Sequence, residues 1–264
     1  MANLSAYRVY ASTVSSVENL PYASLDKEMH IVLAFARDYD MYRRYTTGKF
    51  EAYFDKSKFD AQTIRAIKRK ATSTSIKFFL SIGGRDPEFP FAVTSSDESM
   101  WIKNATDTLK NIVQTFGFDG IDVYYEHIKP DAANQFPKAI KKVIWDLKNV
   151  EKVITKASIT VSAPLTNNYD DLYKENEALF DFVVYQTHSQ PGRVSNFKEL
   201  EPIFDRLAYP KEKIFAGHSD VLPSDWANVP QPIFLGAVPQ LLNKGIFGIS
   251  KWIVTPNDHN PESK

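Results

Sequence analysis

Eight short apolar runs alternate along this chain with segments of helical spacing, and no other feature restricts the possible folds as much. A parallel return between neighbouring strands needs a crossover of a dozen residues or more, and helical crossovers then cover both faces of the sheet. The runs read as strands at about Tyr7 to Ser12, His30 to Ala36, Ile76 to Gly83, Phe118 to Ile128, Ala157 to Ala163, Phe182 to Thr187, Ile214 to Gly217 and Ile246 to Val254. The third is almost continuously apolar, as a strand covered on both faces must be. The length of 264 residues matches an eight-unit α/β barrel of about 250 residues, and no linker or internal repeat divides it. The expected fold is therefore α/β, a single (β/α)8 TIM barrel, with residues 1–264 forming one domain.

Between the strands, helical spacing appears at Phe59, Ile64 and Ile67, followed by Lys68, Arg69 and Lys70, cations that suit a helix C-terminus. Ser95 to Glu98 supplies an N-terminal cap for a helix from about Asp97 to Thr115. Pro130-Asp131 opens another toward Leu147, with Phe136, Ile140, Val143, Ile144 and Leu147 on one stripe and Trp145 packing at its edge. Further helices are expected at Phe197 to Leu207 and Gln231 to Asn243, and a short one near Ser24 to Glu28. The connection Arg37 to Lys56 is long and carries Tyr39, Tyr42, Tyr45, Phe50, Tyr53 and Phe54. Such a loop either binds something or packs as a hairpin on its own aromatics, and the hairpin is the favoured reading.

Lys plus Arg and Asp plus Glu each number 32, so no global field draws the chain to nucleic acid or an anionic membrane. Without a cysteine, neither a disulfide nor a thiolate nucleophile is available. No run approaches 18 apolar residues, and the start lacks the pattern of a signal peptide, so a cytoplasmic location or a storage compartment is expected. The sequons at Asn3 and Asn104 are read as chance. His127, His188 and His218 lack metal-ligand spacing, so neither metal nor cofactor is assigned.

The fourth strand is unusual. Asp122, Tyr124 and Glu126 fall two residues apart, on one face of an extended segment, with Tyr124 about 6.6 Å from Glu126 along it. Two carboxylates on a strand that faces a core need partners, because burying an unpaired charge is costly. They form either a structural ladder or an active site. Residues 119 to 126 read Asp-Gly-Ile-Asp-Val-Tyr-Tyr-Glu, and Ser81-Ile82-Gly83-Gly84 precedes them by about one β/α unit. Together these resemble the two signatures of the family 18 glycoside hydrolases, the chitinase family, and the wording is similar to its narbonin-type plant members, seed globulins without known hydrolytic activity. Secreted plant chitinases of this type usually carry disulfides, which this chain cannot form.

The resemblance implies that Glu126 would protonate the glycosidic oxygen while the substrate's own acetamido group attacks, an exception to the two-carboxylate schemes. It also implies an aspartate at position 124 to orient that group. The residue there is Tyr124, a phenol that is neutral at pH 7. Arg85 shares strand parity with Ser81 and Gly83 and is expected to turn inward and pair with Glu126, depressing its pKa. His188 stands where active relatives have an acetamido-binding tyrosine, although Gln186 and the floor tryptophan, Trp252, are kept. No catalytic residue is therefore assigned: Asp119, Asp122, Tyr124 and Glu126 are read as vestigial, and Arg85 with Glu126 as a blocking ion pair. Gly83, Gly84, Tyr124, Gln186, His188 and Trp252 are the candidates for holding a glycan. The expected function is that of an inactive, narbonin-like storage globulin, a monomer or weak dimer. The alternatives are a lectin with an oligosaccharide ligand in the old cleft, or a weakly active chitinase.

Overall fold

A parallel strand that is buried on both faces still needs a hydrogen-bonding neighbour on each edge, and eight strands meet that need by closing into a ring. The computed structural model describes residues 4–11, 27–40, 45–70, 75–219 and 229–252. The ring runs β1 (Ala6–Ala11), β2 (Glu28–Asp40), β4 (Ile76–Gly84), β5 (Gly120–Tyr125), β6 (Lys156–Val161), β7 (Phe182–Gln186), β8 (Ile214–Ser219) and β9 (Gly248–Trp252), and β1 pairs in parallel with both β2 and β9 to close it. The expected barrel is present. Ser12, Tyr42, Val254 and most of the short helix expected near Ser24 to Glu28 lie outside the described residues, and Glu28 itself opens β2.

Six α-helices are described: α1 (Ala61–Lys70), α2 (Glu98–Phe116), α3 (Gln135–Trp145), α4 (Thr166–Lys174), α5 (Phe197–Asp205) and α6 (Gln231–Asn243). The stripe Phe136, Ile140, Val143 and Ile144 is buried, and Leu147 is buried in the π-turn that follows α3. Trp145, expected to pack at that helix's edge, is instead 52% exposed, because it falls outside the arc that the stripe turns to the sheet. Helix α4 was not legible in its polar sequence, yet Tyr169, Leu172 and Tyr173 are buried at helical spacing.

The aromatic loop resolves into a hairpin. β2 continues to Asp40, and β3 (Tyr45–Ala52) returns antiparallel to it, outside the ring. Phe50 and Phe54 join the main core, while Tyr39 and Tyr53 meet the ring of Phe89.

Strand alternation divides the apolar side chains into two cores. The larger lies between sheet and helices, and the smaller, with Tyr10, Val32, Phe79, Phe182, Val184 and Phe215, lies inside the barrel. Low in that interior, the ring of His30 sits 4.7 to 5.2 Å from those of Phe79, Phe182 and Phe215. Polar groups occupy the level above and lead up to the mouth.

Candidate functional site

A carboxylate inside the barrel must find partners among the inward-facing side chains of other strands, and Asp122 does so on all sides. It accepts from Arg8 Nη2 at 2.7 Å, Ser158 Oγ at 2.6 Å, Ser81 Oγ at 2.9 Å and Tyr10 Oη at 3.0 Å, with Thr160 Oγ1 at 3.0 Å. Arg8 and Asp122 are both fully buried. Below them, Arg8 Nη1 lies 3.4 Å from His30 Nδ1, and His30 Nε2 lies 2.5 Å from Glu28 Oε1. A guanidinium can only donate, so Nδ1 accepts and the proton of neutral His30 sits on Nε2, pointing at Glu28. Burial pushes His30 down to about 4 against the raising contact with Glu28, which keeps the ring neutral. Asp122 is thus a structural anchor with its lone pairs taken up.

One level higher, the barrel is closed by rings. Tyr10 stacks on Trp252 at 5.0 Å and 15°, Phe35 lies 5.6 Å from the same indole, and Tyr124 lies 6.0 Å from it. Tyr124 is fully buried in this cluster. Its hydroxyl donates to Glu126 Oε1, and His188 Nε2 stands 3.9 Å from the same oxygen. The Glu126 side chain remains 21% exposed. Burial alone raises its pKa, but contact with His188, the Tyr124 hydroxyl and the more distant charge of Arg85 outweigh that and hold the carboxyl below its usual range. Burial and the neighbouring Glu126 push the Tyr124 phenol well up, so it stays a donor. A general acid for glycoside cleavage needs the opposite shift.

The expected blocking pair between Arg85 and Glu126 is not formed. Arg85 is exposed, and no contact within ion-pair distance joins it to Glu126 among the described residues. The parity argument failed because Gly83 and Gly84 take φ of +94° and +135°, which breaks strand alternation just before Arg85. A β-carbon on Gly83 would lie 2.6 Å from the Tyr124 carbonyl oxygen, so glycine is needed there on two counts. The glutamate is restrained instead by Tyr124 of β5 and by His188, just after β7.

The remaining candidates divide. The 3₁₀ turn Thr187–Ser189 after β7 carries His188 to the mouth, where its Nδ1 and the Oε1 of fully buried Gln186 have no protein partner. Gly84 lies against Phe35. Asp119 does not belong to the site: at the far end of β5 it accepts from Phe78 N at 2.7 Å and pairs with Lys68 at 2.7 Å. His127 lies at the rim, 3.1 Å from the Arg85 carbonyl oxygen. No cluster of three or more His, Cys, Asp or Glu suited to a metal occurs among the described residues.

Sequence reasoning missed Arg8, Tyr10, Phe35, Ser158 and Thr160. The parity of Arg8 with Tyr10, and of Ser158 with Thr160, was the available signal, since a polar pair at alternate positions of a barrel strand faces the axis. It also missed Tyr169, whose hydroxyl accepts from Tyr125 N at 2.7 Å and fixes the end of β5.

Comparison with known proteins agrees with this geometry. The family model described as glycosyl hydrolases family 18 matches residues 6–219. A RuBisCO-associated protein of Glycine max is 35% identical over 238 residues, covering 86% of this chain and 83% of that protein. Chitinase 1 of Tulipa saxatilis subsp. bakeri is 30% identical over 177 residues, 64% of this chain and 54% of the tulip protein. Among solved structures, the catalytic domain of a family GH18 chitinase from the fern Peteris ryukyuensis superposes with a TM-score of 0.78 at 24% identity, covering 93% of this chain and 90% of that one.

Proposed function

The chain belongs to the family 18 glycosyl hydrolases, and from that premise we propose that it is a narbonin-like member that does not hydrolyse glycosidic bonds and serves as a plant storage globulin. One observation carries the first half. At position 124, where the resemblance puts the aspartate that orients the acetamido nucleophile, a buried tyrosine donates a hydrogen bond to Glu126. The site then has no second carboxylate beside the reacting sugar, and the pKa of Glu126 is held below its usual range, the wrong direction for a general acid. The soybean relative, named for association with RuBisCO and not for hydrolysis, supports a non-catalytic role. Storage rests on the narbonin resemblance, and it requires abundance in seed or bulb tissue that falls on germination.

The test of inactivity is an assay with a fluorogenic chitooligosaccharide. The unaltered chain is expected to stay at the no-enzyme background, with turnover appearing in Tyr124→Asp combined with His188→Tyr. Turnover by the unaltered chain at the rate of a plant chitinase control would overturn the reading. A second reading, glycan binding at the mouth, is favoured by the buried, unpartnered Gln186 Oε1 and His188 Nδ1, which a sugar amide or hydroxyl would satisfy. Quenching of Trp252 emission by N-acetylchitotetraose, removed by Trp252→Phe, is the outcome it requires.

A further inference from the structure

Helices that pack on a closed sheet turn their polar faces outward, so a large apolar side chain on such a face has no packing partner within the chain. Trp145 and Val150 are two of these, 52% and 63% exposed and one π-turn apart at the end of α3. They lie at the N-terminal ends of the strands, opposite the mouth: Lys148, between them, donates to the Leu179 carbonyl at 2.9 Å and to Asp181 at 2.7 Å, just before β7 begins. A lone exposed ring needs no explanation. What distinguishes this one is the charge on its two sides.

On one side stand cations. Lys138, Lys141 and Lys142 are exposed on the same face of α3 as Trp145, seven, four and three residues before it. The only acids between Gln135 and Lys156 are Asp146 and Glu151, and these are taken up by Lys142 and Lys110. Lys138, Lys141 and Lys152 form no ion pair among the described residues.

On the other side stand carboxylates. The Lys148 bonds set the turn after α3 against segment 175–181, and Lys213 donates to the carbonyls of Glu177 and Phe180 at 2.8 and 3.0 Å, which brings Glu212 to the same surface. Asp171, Glu175, Glu177 and Glu212 are all exposed here, and Lys174 is the one exposed cation within segments 171–177 and 211–213.

A surface whose neighbouring halves carry opposite charge is self-complementary under a two-fold rotation, because the lysines of one copy then meet the carboxylates of the other, twice. The two indoles come together near the axis, where buried aromatic side chains contribute most to an interface. A different partner would have to reproduce both halves, whereas a second copy supplies them at once, and zero formal charge leaves no net repulsion against it. We propose that the chain forms a two-fold dimer through the outer faces of α3 and α4, with Trp145 at its centre and Lys138 and Lys141 of each copy facing Glu175 and Glu177 of the other. The contact is remote from the mouth and does not depend on whether the mouth hydrolyses or binds.

Sedimentation velocity of the full chain at about 0.01 M salt, over roughly 1 μM to 1 mM protein, tests it. The mass is expected to rise with concentration and level off at two chains. Trp145→Ala is expected to weaken dimerisation about tenfold or more, as loss of a central tryptophan from both copies predicts. Reversing the cations, Lys138→Glu with Lys141→Glu, or the acids, Glu175→Lys with Glu177→Lys, should each abolish the dimer, because like charges then meet in both contacts. An equimolar mixture of the two reversed variants should recover it. All of these positions are exposed, so the variants should keep the melting temperature of the parent. A parent chain that stays monomeric over the whole range would overturn the proposal, whatever else it binds. So would a mass that climbs past two chains without levelling, a dimer that Trp145→Ala leaves intact, or a mixture of the reversed variants that stays monomeric.

Discussion

At the scale of single residues, the site is defined by where each carboxylate finds its partner. Asp122 is neutralised by Arg8, and Glu126 is restrained by Tyr124 and His188. Removing one member of a buried ion pair leaves the other as an uncompensated charge, at a cost of about 3–5 kcal/mol. Arg8→Met is therefore expected to lower the stability of the chain by that amount in urea unfolding, with much of it recovered by adding Asp122→Leu. A single change that costs less than about 1 kcal/mol would mean that Arg8 is not the balancing charge. Tyr124 and His188 were legible in the sequence because they depart from a motif with fixed positions. Arg85 was misread because strand parity was extended across Gly83 and Gly84, whose positive φ values redirect the chain.

At the scale of elements, the β2–β3 hairpin and its clasp to α2 are the least expected feature. The sequence showed that aromatics crowd Arg37 to Lys56, but the partner of Asp38 was hidden, since Trp101 lies 63 residues away and carries no local signal. Gly48, at φ +73°, brings the hairpin so close to α2 that a β-carbon would meet the Trp101 carbonyl at 2.4 Å. Burial pushes the Asp38 carboxyl up to about 6, against the lowering bonds from Trp101 and Gly48. Its folded pKa thus lies above the ordinary aspartate value of 3.8, so between about pH 4 and 6 the folded state holds a proton that the unfolded chain has released. The contribution to stability is present below pH 4 and is lost as pH rises through 6, by about 3 kcal/mol in all. Asp38→Asn lacks that proton. Reversible unfolding should show the stability of the parent, relative to Asp38→Asn, falling by that order between pH 4 and pH 7. A difference that stays constant with pH would refute the clasp's electrostatics.

At the scale of the whole molecule, the barrel was legible because a closed parallel sheet forces the same pattern eight times, and errors at single boundaries do not change the count. The interior was less legible, since which polar groups meet across the axis depends on the register between strands far apart in sequence, such as Arg8 of β1 and Asp122 of β5. Composition sets one further property. With 32 acidic and 32 basic side chains and zero formal charge at pH 7, copies of the chain do not repel one another near neutrality. Many of those charges are surface pairs, such as Lys103 with Asp107 and Lys211 with Asp205, which can exchange partners between molecules. Such contacts act over about 30 Å at 0.01 M salt and about 8 Å at 0.15 M. Solubility should therefore pass through a minimum near pH 7 at low ionic strength and rise several-fold on adding 0.15 M sodium chloride, as a dense, reversible deposit requires. Solubility measured by turbidity and supernatant concentration checks this directly. A chain equally soluble at both salt concentrations would lack the charge-driven self-association that the proposed storage role needs.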